Sequence, residues 1–271
     1  MKFIIWCWDY SKFIGGVRVM HKLCDVLNSL GAEAYVTAKK TNPDWNTPVY
    51  DGNGFDKEQT VVIYPECISD NLLDAKHVVR WILYNQVAEY NPSDHVFKLF
   101  KGYYTHGDKC DGMLQILDFH LEKWYDQNLE RPYNMVLYRK GAWKQPYIDL
   151  SIANALIYDE IEKEENEDLI ANCMNKSINF VSYDDCSFAA NQAAMCGCNT
   201  IIVPHPNIDA DTWRSKREGY LKYGVAYGFD EKEIKYAQET RHLIKPYLQS
   251  FNDQSIEHGQ NFIEYWKNII K

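Results

Sequence analysis

The run Tyr183-Asp184-Asp185-Cys186-Ser187-Phe188-Ala189-Ala190-Asn191-Gln192-Ala193-Ala194-Met195-Cys196-Gly197-Cys198-Asn199-Thr200-Ile201-Ile202-Val203-Pro204 reads as a polar loop, a helix of small residues, a glycine stop and an apolar strand. Ser187 is of the type that caps a helix, and Phe188 to Met195 is alanine-rich and free of glycine and proline. Gly197 stands where a left-handed C-cap residue is wanted. Thr200 to Val203 is rich in β-branched residues. A helix start presented by a polar loop attracts anions, because its first N–H groups are unpaired and the macrodipole adds positive potential. The plainer reading is one more helix–strand unit of an α/β core.

Working outward, strand-like and helix-like segments alternate along the chain. Lys2 to Trp8 is a short apolar run followed by the turn-like Asp9 to Gly16. Val17, Met20, Leu23, Cys24, Leu27 and Leu30 then recur at helical spacing until Gly31, and Ala34 to Thr37 follows as a strand. This is a βαβ opening, as in doubly wound sheets. Residues 40–58 are rich in Asn, Asp, Pro and Gly and read as a long loop. Thr60–Tyr64, His77–Leu83 and Val96–Tyr104 read as further strands, with a short helix at Asn71–Ala75. Helical character around Leu117 to Leu129 precedes Arg131-Pro132, the expected domain seam. Asn134–Tyr138 restarts the strand series, and Ile178–Val181 leads into the opening run. The Glu-rich stretch from Tyr158 to Leu169 reads as a solvated helix face. Helices around Glu231–Ser250 and Ser255–Ile270 close the chain.

Composition narrows the class. With 271 residues, 46% hydrophobic and 14% aromatic, the chain can build a substantial core as one large domain or two smaller ones. A formal charge of -9 argues against a general binder of nucleic acid or anionic membrane. The eight cysteines show no Cys-x2-Cys zinc spacing, so they read as reduced structural thiols. No apolar run approaches the roughly 20 residues of a membrane span, and the start shows no signal-peptide order, so a reducing cytoplasmic setting is expected.

Several groups are candidates for chemistry. Gly15 and Gly16 lie between the first strand and its helix, where glycine lets backbone N–H groups approach a phosphate. The pair lacks the Gly-x-Gly-x-x-Gly pattern of a dinucleotide site, which counts against an NAD-dependent oxidoreductase. Arg139 and Lys140 follow a strand and precede Gly141, a place from which cations can neutralise a diphosphate leaving group. Asp9, at the end of the first strand, is a candidate base for deprotonating a hydroxyl, and equally a turn cap. His21 reads as packed within its helix. No Asp-x-Asp is taken as a magnesium holder on a diphosphate, so no metal or other cofactor is expected.

The loop and helix from Tyr183 resemble the donor-binding region of GT-B glycosyltransferases, in which a Tyr-Asp-Pro-Phe-Thr-like loop precedes a small-residue helix ending in Cys-Gly-Cys. Many retaining members carry two glutamates there, eight positions apart, one near the donor sugar and diphosphate and one on the ribose. Those positions match Asp184 and Gln192. Asp184 keeps the charge on a shorter arm, whereas Gln192 keeps hydrogen-bonding capacity without charge. The blocks from Gly15-Gly16, His77 to Asn85, Tyr138-Arg139-Lys140-Gly141 and Tyr223 to Asp230 are similar, in the same order, to a group of compact bacterial and viral members.

The resemblance implies two Rossmann-like domains facing a central cleft: residues 1–130 on the acceptor side, and 131–271 on the donor side with the last helix crossing back. It implies a metal-independent transferase moving a hexose or pentose from a nucleotide-diphosphate sugar to a glycan or other hydroxyl acceptor. Gly15, Gly16, Arg139, Lys140, Tyr183, Asp184, Ser187 and Gln192 would bind the donor, with Asp9 and Asp184 as catalytic carboxylates. The alternative is a non-catalytic module that binds nucleotide or sugar with the same fold. Base, sugar, acceptor, stereochemical outcome and oligomeric state stay open.

Overall fold

The structure is a computed structural model that describes residues 1–145, 152–216 and 221–270. The chain divides into two compact units, Met1–Asp118 with Ser250–Lys271, and Phe119–Gln249.

In the first unit β1 (Lys2–Ile5) runs into α1 (Gly15–Ser29) and β2 (Glu33–Val36). Four further strands follow: β3 (Thr60–Pro65), β4 (His77–Ile82), β5 (His95–Lys98) and β6 (Gly112–Met113). They form a parallel sheet in the order β2-β1-β3-β4-β5-β6. The apolar stripe of α1 buries Val17, Met20, Leu23, Cys24 and Leu27 completely or nearly so, as its spacing requires. β3 and β4 are apolar and buried on both faces, as parallel strands covered on each side must be. Asn71–Ala75 is a turn and not a helix, because Asn71 Oδ1 takes the Ala75 N–H at 3.0 Å.

The second unit contains β7 (Tyr133–Leu137), β8 (Ala155–Ile157), α2 (Tyr158–Glu162), α3 (Glu167–Asn175) and β9 (Ser177–Ser182). It continues through α4 (Ala189–Met195), β10 (Asn199–Ile202), α5 (Ala210–Lys216), β11 (Val225–Tyr227) and α6 (Glu231–Thr240). Its parallel sheet runs β11-β10-β9-β7-β8. Reversed, this is the order of the first sheet: the opening strand lies between the second and the third. In such sheets ligands bind beyond the carboxyl ends of the strands, where the order reverses. That point is β1/β3 in the first unit and β7/β9 in the second.

Two further sequence expectations fail. Leu117 to Leu129 is not helical. Leu121 and Trp124 are buried in an irregular segment whose Gln127 N–H donates to Asn175 Oδ1 at 2.7 Å. Arg131 holds the segment too, donating to Asp126 Oδ1 (2.6 Å), Ser177 O (3.0 Å) and Cys196 O (2.9 Å). Residues 119–130 therefore group with the second unit, and the division falls at 118/119, ahead of the expected seam at 130/131. The closing helices are not interrupted near Ser250. α7 runs unbroken from Ile244 to Ile269, and its residues from Ser250 on belong to the first unit. No helix among the described residues is long and apolar enough to cross a membrane.

Candidate functional site

The run from Tyr183 to Pro204 folds as its pattern indicates, with shifts of one residue at its boundaries. β9 ends at Ser182, a loop follows, and α4 covers Ala189–Met195. Ser187 Oγ accepts the Ala189 N–H at 3.3 Å. The helix closes as a Schellman turn: Gly197 has φ +92°, its N–H donates to Ala194 O, and Cys198 N–H donates to Ala193 O. Cys196 and Cys198 are fully buried, and burial pushes both thiols up to about 12, so neither is a nucleophile at neutral pH.

Register brings the strand ends level. Leu137 pairs with Ser182, Ser182 with Ile202, and Ile202 with Tyr227. The segments leaving these strands therefore emerge along one edge. After β7 comes Tyr138 and a 3-10 turn, Arg139–Lys144. After β9 comes Tyr183, whose ring lies 5.1 Å from that of Tyr138. Gly141 lets the two segments touch, since a Cβ there would sit 1.8 Å from Tyr183 O. Lys144, buried, donates from Nζ to Val203 O at the end of β10 (2.9 Å).

Arg139 lies at the reversal point with φ +35°. Its Nη1 is 3.5 Å from Ser187 Oγ, its Nη2 is ion-paired with Glu162, and its Nε is 4.0 Å from Asp159. The guanidinium also lies over the Tyr158 ring at 5.2 Å. Burial, the largest single effect, works against its charge, but the bond to Glu162 and the nearby charges of Tyr158, Glu162 and Asp159 together outweigh it and raise the pKa, so Arg139 is permanently cationic. Lys140 is exposed beside it. Asp184 is buried, and its Oδ1 accepts the Cys186 N–H at 3.0 Å. Gln192 is half-buried on α4 and makes no side-chain hydrogen bond among the described residues. Arg139 and Ser187 thus meet across the two segments, with Gly141 packed against the Tyr183–Asp184 backbone.

The remaining candidates belong to the first unit. Gly15 and Gly16 open α1, which has no side-chain cap, and a Cβ on Gly15 would meet nothing within 4 Å. Asp9 is exposed, and its Oδ1 accepts the N–H groups of Lys39 (2.7 Å) and Lys40 (2.9 Å). The bonds from Lys40 and Lys39 lower its pKa and make it a weak proton acceptor. His21 is fully buried, with Nε2 2.9 Å from Trp8 O.

Some residues were beyond the sequence reading. Trp143, 48% exposed, meets the His205 ring at 5.3 Å. His205 Nδ1 accepts the Asn207 N–H at 3.2 Å, which leaves the proton on Nε2. Asn191 is fully buried, and neither of its amide atoms has a hydrogen-bond partner among the described residues. Glu162 and Asp159 looked like a solvated face, and only the fold carries them to Arg139. The chain does contain an Asp-x-Asp, Asp209-Ala210-Asp211, but Asp209 caps α5 by accepting Thr212 N–H (2.7 Å) and Thr212 Oγ1–H (3.0 Å). Among the described residues no three His, Cys, Asp or Glu side chains gather in a metal-holding group.

The chain is similar in structure to several glycosyltransferases. A phage T4 beta-glucosyltransferase aligns with a TM-score of 0.45 and 11% identity, covering 100% of both chains. MurG from Acinetobacter baumannii gives 0.39 and 11%, covering 98% of this chain and 100% of that one. The glycosyltransferase SnogD from Streptomyces nogalater gives 0.43 and 10%, covering 98% and 99%. No family model and no curated protein matches the chain. At these scores and identities the likeness carries no weight in assigning a function.

Proposed function

We propose that the second unit binds a nucleotide-diphosphate sugar at the β7/β9 reversal point, and that the protein is a glycosyltransferase delivering the sugar to a glycan or other hydroxyl acceptor. The observation that carries this reading is the approach of Arg139 Nη1 to Ser187 Oγ, 3.5 Å apart from segments 48 residues distant in sequence. A fixed guanidinium and a hydroxyl at a strand-end reversal suit a phosphate, whose oxygens accept from both.

In this reading Arg139 and Lys140 meet the charge that develops on the leaving diphosphate, as preorganised cations do in other group transfers. Asp184 accepts from the sugar hydroxyls, and Gln192 from those of the ribose. The Trp143 face and the His205 Nε2–H serve the nucleobase. Asp9 deprotonates the acceptor, as a weak base and hence with a modest contribution. No resident metal is invoked. The uncharged Gln192 favours one second reading, a module that binds the donor without transferring it. Donor hydrolysis without acceptor separates the two.

A thermal-shift panel of UDP, GDP, dTDP and CMP with their sugars tests the proposal. A donor present at about 100 times its Kd stabilises by roughly 2.7 kcal/mol. The Arg139→Ala/Lys140→Ala variant is expected to lose most donor affinity with little change in Tm. Asp9→Asn is expected to slow transfer about 10²-fold, the low end for a general base, with donor affinity intact. Unchanged donor binding in the double variant would rule out the phosphate assignment, and an unchanged rate in Asp9→Asn would remove the base.

A further inference from the structure

Helix α2 brings three side chains to Arg139, and they divide their work. Asp159 holds the backbone: its Oδ2 accepts Tyr138 N–H at 2.9 Å and its Oδ1 accepts Arg139 N–H at 3.3 Å. These bonds keep Arg139 at its positive φ, a conformation that otherwise costs a non-glycine residue free energy. Tyr158 supplies a ring beneath the guanidinium, and its OH donates to Glu162 Oε1 at 3.2 Å. Glu162 reaches only the side chain, through Arg139 Nη2. The turn is therefore anchored without Glu162.

We infer that Glu162 is an exchangeable counter-ion of Arg139, competing with a ligand's phosphate for the guanidinium and so setting how tightly anions are held and how readily they leave. This rests on the assignment of Arg139 to a diphosphate. A guanidinium binds phosphate best with two N–H groups along one edge. Arg139 Nη1 already faces Ser187 Oγ at the long distance of 3.5 Å, whereas Nη2 is engaged by Glu162. A fork on phosphate through Nη1 and Nη2 thus forms in competition with Glu162, which holds Nη2 and offsets the guanidinium charge, and exchange of Glu162 for the phosphate frees all of Nη2. Arg139 keeps 30% of its side chain exposed, so that exchange needs no unpacking of the core. When the phosphate departs, Glu162 takes Nη2 back. The leaving diphosphate of a transferase is anionic at the same atoms, so Glu162 would speed its release.

The test uses the full chain and two probes, inorganic pyrophosphate and UDP, with affinities measured by calorimetry. Glu162→Gln removes the charge while keeping the shape, and should bind pyrophosphate about five- to tenfold more tightly than wild type. In an Arg139→Ala background the same change should give no gain, because the competition has lost its object. Wild-type binding with no gain in Glu162→Gln overturns this inference alone. An equal gain with and without Arg139 also overturns it, since that is simple removal of negative charge. If the wild type binds neither probe, the phosphate assignment fails and this inference falls with it.

Discussion

Gly141 and Gly15 are glycines for different reasons, and the difference can be measured. A Cβ on Gly141 would lie 1.8 Å from Tyr183 O, 2.0 Å from Tyr183 C and 2.5 Å from Asp184 N. All three are backbone atoms of the facing loop, so no rotamer change relieves the clash. Gly141→Ala should therefore cost about 1–3 kcal/mol or more and push the two loops apart. Gly15 has nothing within 4 Å of the same construction. Gly15→Ala should leave stability within about 0.5 kcal/mol. Urea unfolding of both variants checks the pair; a Gly141→Ala protein as stable as wild type would mean that the loops do not meet as described. Any loss of ligand affinity in Gly15→Ala then reports use of that loop in binding, not in folding.

Among the elements, α1 carries a consequence for acid stability. His21 is fully buried on this helix; its Nε2 donates to Trp8 O at 2.9 Å and its Nδ1 has no partner among the described residues. Burial lowers its pKa below the ordinary 6.5, against the smaller raising effects of the Trp8 carbonyl and Asp9. His95, whose Nδ1 lies 2.7 Å from Tyr265 OH, is lowered by burial too. Between the folded pKa and about 6.5 the unfolded chain binds more protons than the folded one, so stability rises with pH across that window. Stability should fall as the pH drops below about 6.5, level off once the folded histidines are also charged, and fall less steeply in His21→Gln. Urea midpoints from pH 5 to 8 decide this, and a flat profile would exclude it. At this scale the sequence was most readable where one rule settles one element. The α1 stripe, the Gly197 stop and the apolar β3 and β4 are of that kind. It was least readable where tertiary contacts override local pattern. Trp124 and Arg131 hold 117–129 irregular against its helical spacing, and the polar α2 is directed by Arg139. The site divides the same way: the Tyr183–Ser187 loop announces itself by composition, whereas Glu162, Trp143 and His205 become neighbours of the site only through the strand order.

For the whole molecule, the two units differ in how they draw on the chain. The second is continuous from Phe119 to Gln249, while the first is completed by residues from Ser250 on. That return segment supplies a large share of the first unit's aromatic core. The Phe262 ring lies 4.9 Å from Phe97 and 5.6 Å from Phe3, and Trp266, fully buried, lies 4.7 Å from the His95 ring. Ser255 Oγ donates to Leu117 O at 3.1 Å and accepts Leu117 N–H at 3.0 Å, so even the last stretch before the division at 118 depends on it. A unit that lacks its aromatic closure loses both burial and packing, and small domains have little stability to spare. Trp266→Ala should therefore destabilise the first unit by about 3–5 kcal/mol. A chain ending at residue 118 should not fold, whereas residues 119–249 expressed alone should keep native near-UV circular dichroism. Urea titration of the variant and spectra of the two fragments test both expectations together. A folded 1–118 fragment would show that the return helix is dispensable, and an unfolded 119–249 fragment would show that the second unit is less self-sufficient than its continuous core implies.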